Sequence, residues 1–186
     1  LSLLNDATSE NFAGLYRTAK FNQDALLNNE LATLASVMEL APASALLKEL
    51  VTALQSNVKA VWTANGKSID AAMKLKASSL GVTPVKIVLS TEEKSASKIY
   101  PHSTPKVKEF GYGVLRSVSS ELMAKYGFNQ RGAVNHGGEI AKLTVGGTNS
   151  ILDIKKMIDA QFPNSDSLET ITKYLEMLKE AGLVEF

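Results

Sequence analysis

Residues 150–186 read SILDIKKMIDAQFPNSDSLETITKYLEMLKEAGLVEF, and this pattern decides the fold of the C-terminal part. Ser150 stands where a side-chain oxygen can cap a helix, and Ile151, Ile154, Met157 and Ile158 follow at helical spacing. Phe162-Pro163-Asn164-Ser165 stops that helix, because proline cannot donate a backbone hydrogen bond and restricts the residue before it. Asp166 lies three residues before Glu169, a capping-box-like pair, so a second helix is expected to start there. Leu168, Ile171, Leu175 and Leu178 recur at intervals of 3, 4 and 3, and Gly182 closes the run. Leu183-Val184-Glu185-Phe186 should leave it extended. This phase places Leu175 and Leu178 against Ile154 and Ile158 and turns Glu169, Glu176 and Glu180 outward.

Upstream, residues 82–149 read as a strand–loop–helix–strand connecting region. Pro84-Val85-Lys86-Ile87-Val88-Leu89 is short, β-branched and bounded by turn formers, which favours a strand. Residues 90–106 are polar and carry Pro101 and Pro105, so they read as a loop. A helix is expected over 107–126, with Phe110, Val114, Leu115, Val118, Leu122 and Met123 on its apolar side and Gly127 at its end. Glu139 to Val145 alternates as a strand would, and Gly146-Gly147 makes a turn.

Residues 1–81 read as an antiparallel helical hairpin. The first helix runs from about Ser9 to Leu40, where Ala41-Pro42 breaks it. In the second, Leu47, Val51, Leu54, Val58 and Val61 recur at 4, 3, 4, 3, a coiled-coil-like seam that either packs inside the hairpin or mediates self-association. Gly66 weakens this helix locally and suggests a kink, and Gly81 ends it. The expected fold is therefore mainly α with a small α+β part.

Composition narrows the function classes. The 186 residues are 45% hydrophobic and 21% charged, a globular mixture long enough for one sizeable core or two small ones. The formal net charge of +1 gives no strong field toward nucleic acid or acidic lipid. Residues 1–149 carry 16 basic and 12 acidic side chains, whereas residues 150–186 carry 4 and 7. With no cysteine there is no disulfide, thiolate metal site or cysteine nucleophile, although the compartment is left open. No apolar run is long enough to span a bilayer. The chain starts at Leu1 rather than Met, which points to processing or excision from a longer protein.

The order of strand, glycine turn, helix, turn, helix and then EAGLVEF resembles a winged-helix module over residues 150–186, a resemblance carried mainly by core positions. From about Val85 onward, the segments AKLTVGGTNSILDIKKMIDAQFP and LETITKYLEMLKEAGLVEF also resemble the C-terminal accessory region of bacterial zinc aminopeptidase-like proteins. That resemblance implies a helper region beside a catalytic domain. The zinc ligands of that family belong to the catalytic domain and have no counterpart here, so no catalytic, cofactor or metal residue carries over.

The candidate site residues are few. A winged helix reads DNA by laying its second helix in the major groove, with basic residues on phosphates. Here that helix carries Glu169, Glu176 and Glu180 against Lys173 and Lys179, which would repel phosphate and favour contact with a protein. Those three glutamates, together with Trp62 beside the helical seam, are the candidate partner contacts. Arg131, in the glycine-bearing stretch Phe128 to Gly138, is a candidate anion contact. His136 and Glu139 have metal-like spacing, but zinc needs three or four ligands, and the second histidine, His102, lies on a distant loop. No nucleophile–base arrangement of a serine hydrolase is recognisable. The expected function is a non-catalytic accessory or protein-interaction domain, its partner being other domains of a parent protein, a separate protein or a second copy. A winged-helix DNA-binding regulator is the alternative, and an independent hydrolase the third reading.

Overall fold

A computed structural model describes residues 6–84, 86–129 and 133–186. The protein is mainly helical with one small antiparallel sheet, and the chain divides into two compact units, Leu1–Val88 and Leu89–Phe186.

The first unit is a helical hairpin. Helix α1 (Phe12–Ser36) continues into a 3-10 turn (Val37–Leu40), and α2 (Ala45–Leu80) returns antiparallel to it. Ser44 starts α2 by accepting a hydrogen bond from the Leu47 amide at 3.2 Å, which satisfies one of the free first-turn donors. Gly81 ends α2 in the left-handed conformation at φ +66°, which glycine adopts without a Cβ clash. α2 continues through Gly66 as one uninterrupted helix of 36 residues. Gly66 leaves room for the Gln23 side chain of α1, since an added Cβ would lie 3.0 Å from Gln23 Nε2. Ala7, Phe12, Tyr16, Met73 and Ala77 form the buried core, and Val82 and Ile87 pack on it.

That packing explains why the described residues of Pro84–Leu89 do not form a strand. They are irregular and meet no partner strand; Ile87 turns toward the first core and Leu89 toward the second. Val85 lies outside the described residues. The helical seam divides as well. Val51 is buried and Leu47 and Val58 are half-buried, but Leu54 and Val61 are exposed. The α1-facing side of α2 is centred instead on Val51, Gln55, Trp62, Gly66 and Met73, which leaves one edge of the seam in water.

The second unit contains α3 (Thr91–Ala96), β1 (His102–Ser103), α4 (Pro105–Phe110), a 3-10 turn (Tyr112–Ser117), α5 (Ser120–Lys125), α6 (Gly137–Lys142), α7 (Ile151–Gln161), α8 (Leu168–Glu180) and β2 (Val184–Glu185). The strands pair antiparallel, with His102 opposite Glu185 and Ser103 opposite Val184. Three expectations need correcting. The helix expected over 107–126 is split: Gly111 takes φ +65°, and the Ser119 hydroxyl starts α5 by accepting from the Leu122 amide. Glu139 to Val145 is not a strand, since its first part belongs to α6, with Ile140 and Ala141 buried. The loop expected over 90–106 holds both α3 and β1.

Residues 150–186 follow the expected phase. Ser150 and Asp153 form a full capping box at the start of α7. Ile154, Ile158, Ile171, Leu175 and Leu178 are all fully buried in one core, which also takes Val107, Val118 and Ile140 from residues before 150. Each such side chain removed from water contributes roughly 1.5–3 kcal/mol. The capping role given to Asp166 is corrected: Ser167 caps α8, accepting from the Thr170 amide at 3.0 Å, and Asp166 is buried elsewhere.

Candidate functional site

A groove of about 680 Å³ opens between α3 and α8. The α3 wall exists because Ser90 and Glu93 close a capping box. The Glu93 amide donates to Ser90 Oγ at 3.2 Å, and the Ser90 amide donates to Glu93 Oε2 at 2.8 Å. The wall from α8 presents Leu168, Glu169, Thr172, Lys173 and Glu176, one side of an amphipathic helix whose other side is the core. Ala96, Ile99 and Leu168 supply apolar lining. Glu92, Glu93, Glu169 and Glu176 put four carboxylates around it against the single ammonium of Lys173.

The charges are partly organised already. Lys173 Nζ donates to Glu169 Oε1 at 2.6 Å, one helical turn apart, and holds that carboxyl below its ordinary range. The Ser90 hydroxyl donates to Glu92 at 2.6 Å and lowers the Glu92 carboxyl in the same way. Both groups therefore stay ionised at neutral pH, and the groove remains acidic.

Of the sequence candidates, Glu169 and Glu176 line this groove. Glu180, one turn further along α8, does not: it accepts from Lys125 Nζ at 2.7 Å and from Tyr126 Oη at 2.9 Å. Trp62 belongs to the first unit, half-buried, with its indole N–H on Glu30 at 3.0 Å. Arg131 lies outside the described residues. Lys179, the other base of α8, donates to the Phe186 carbonyl at 2.5 Å and sits 4.2 Å from the Phe186 ring centre. The residues missed in the sequence are those of α3, although Ser90-Thr91-Glu92-Glu93 carries the capping-box spacing that marks a helix start.

His136 and Glu139 do not converge. Glu139 pairs with Lys142 at 2.8 Å, while His136 is half-buried beside Asp166, its ring stacked on Phe162 at 4.1 Å. The Asp166 carboxylate accepts from the Asn135 amide at 2.9 Å and the His136 amide at 3.0 Å, and lies 3.1 Å from His136 Nδ1. This arrangement ties the segment before α6 to the start of α8. Next to it, burial raises the Tyr174 hydroxyl to about 12, so that phenol stays protonated. His102 lies 3.3 Å from Glu185 across the small sheet. Among the described residues, no group of three or more His, Asp and Glu side chains could hold a metal ion. None of the described helices is long and apolar enough to cross a membrane.

No family model, curated protein or solved structure matches the chain.

Proposed function

We propose that the chain is a non-catalytic interaction module whose α3–α8 groove receives a basic, partly apolar segment of a partner protein. The observation that carries this reading is the lining itself: four carboxylates beside Ala96, Ile99 and Leu168, in a groove of about 680 Å³. Carboxylates around an apolar floor suit lysine or arginine side chains whose hydrocarbon stems lie on the floor while their charged heads reach the rim. The resemblance of the C-terminal half to accessory regions of peptidase-like proteins makes another domain of a parent protein the first candidate for that partner.

The DNA-reading alternative asks α8 to meet phosphate. The carboxylates of Glu169 and Glu176 oppose it, and both α8 lysines are engaged, Lys173 with Glu169 and Lys179 with Phe186. A hydrolase built on His136 would need a nucleophile beside it, and among the described residues no hydroxyl is hydrogen-bonded to that ring.

Calorimetric titration of the chain with a short peptide of alternating lysine and leucine tests the proposal. Binding should occur, weaken with salt and be lost in Glu169→Gln/Glu176→Gln. Equal binding by wild type and double variant would remove the groove from the account.

A further inference from the structure

Helix α2 has two apolar sides, and only one of them is used by α1. Beginning about 100° around the helix from the α1-facing residues, Leu50, Leu54, Asn57, Val61, Ala64, Ser68, Ala71 and Leu75 follow one another at 4, 3, 4, 3, 4, 3, 4. All eight are exposed, the large ones substantially: Leu50 53%, Leu54 40%, Val61 58% and Leu75 75%. None carries a charge. At 1.5 Å per residue the strip is roughly 40 Å long. A charge-free strip with an alternating 4–3 repeat is the pattern of a helix seam that another helix covers.

We infer that this strip pairs α2 with α2 of a second copy of the same chain, antiparallel and around a twofold axis between Val61 and Ala64. The strip is complementary to its own reverse. In that register Leu50 meets Leu75, Leu54 meets Ala71, Asn57 meets Ser68, and Val61 meets Ala64. Large side chains face small ones in the inner layers, and the amide of Asn57 finds a hydroxyl, so neither polar group is buried alone. A single asparagine in such a seam fixes register.

Charge gives the direction. Glu49 and Lys74 flank the strip on the same side, near its opposite ends. Antiparallel pairing sets Lys67 against Ala60 and Lys74 against Ala53, and brings Glu49 of each copy to the same end and side as Lys74 of the other, about one helical turn beyond Ala53, twice by symmetry. Parallel in-register pairing would leave Glu49 and Lys74 roughly 37 Å apart along the helices. It would also place Asn57 on Asn57 and stack Ala64 and Ala71 on themselves, which leaves two thin layers. The twofold pairing of two hairpins creates a four-helix arrangement, in which each α2 is covered on both sides.

Sedimentation equilibrium of the full chain measures the state directly, and twice the chain mass is expected. Leu54→Glu and Val61→Glu change exposed positions, so each variant should keep the wild-type helical circular dichroism while running as a monomer. Because the chain has no cysteine, direction can be read by crosslinking. A mixture of Asn57→Cys and Ser68→Cys chains should oxidise mainly to the mixed 57–68 disulfide. A monomeric wild type, or a dimer that survives both glutamate variants, would overturn the proposal. Disulfides formed chiefly between two Asn57→Cys chains would overturn the antiparallel arrangement.

Discussion

Replacing Asp166 by alanine should cost the second unit far more than removal of a helix cap. In the folded chain its carboxylate is buried and accepts from the Asn135 and His136 amides at 2.9 and 3.0 Å, with the His136 ring at 3.1 Å. Alanine leaves the Asn135 and His136 amides without their acceptor and the His136 ring without its partner, and a donor so abandoned costs about 1–3 kcal/mol where water cannot reach it. Water reaches exposed Asn135 and part of His136 and lowers the total, so about 2–4 kcal/mol is expected. Asp166→Asn keeps one acceptor oxygen and should lose about half of that. Ser167→Ala, which removes the true cap of α8, should cost about 1 kcal/mol. Trp62 is the sole tryptophan and reports the first unit, so the second is better followed by native-state exchange of α7 and α8 amides. A loss of only about 1 kcal/mol in Asp166→Ala, with Ser167→Ala neutral, would show that Asp166 is the cap and refute the reasoning.

Two further outcomes follow from the packing and the charges. Leu175→Ala should destabilise the second unit by about 2–5 kcal/mol, because the side chain is fully buried in the core that holds Ile154 and Ile158, whereas Glu176→Gln beside it should leave stability unchanged. Amide exchange in both variants checks the contrast. In the first unit, burial pushes the Asp70 carboxyl up, but hydrogen bonds from Tyr16 at 2.8 Å and from Lys20, with the charges of Lys20 and Lys74, outweigh it and lower it overall. A lowered folded-state value stabilises the unit above the ordinary carboxylate range of about 4 and is lost as pH falls through the folded value. Trp62-detected unfolding should therefore weaken with acid more steeply in wild type than in Asp70→Asn.

The sequence was legible where one residue's fate depends on neighbours within a turn or two. The phases of α7 and α8, the Ser150 cap, the hairpin and the outward glutamates all follow from local periodicity. Reading failed where the partner is distant. Asp166 has the spacing of a cap, yet its donors lie 30 and 31 residues upstream. Pro84–Leu89 has strand composition, but Ile87 and Leu89 turn toward the cores of different units. Glu139–Val145 alternates well enough for a strand, but its register also serves the helix that buries Ile140 and Ala141. The groove was half visible: Glu169 and Glu176 were identified, but α3, hidden in a stretch read as loop, was not.

The central claim is that the α3–α8 groove is a seat for a basic segment, and amide chemical-shift mapping tests it most directly. Titration with the lysine–leucine peptide should move resonances of Ser90 to Ile99 and of Leu168 to Glu176, while Trp62 and the α2 amides stay in place. Duplex DNA added at the same ionic strength should move none of them. Peptide-induced shifts that avoid Glu92, Glu169 and Glu176, or DNA-induced shifts along α8 that vanish in Lys173→Ala, would contradict the account.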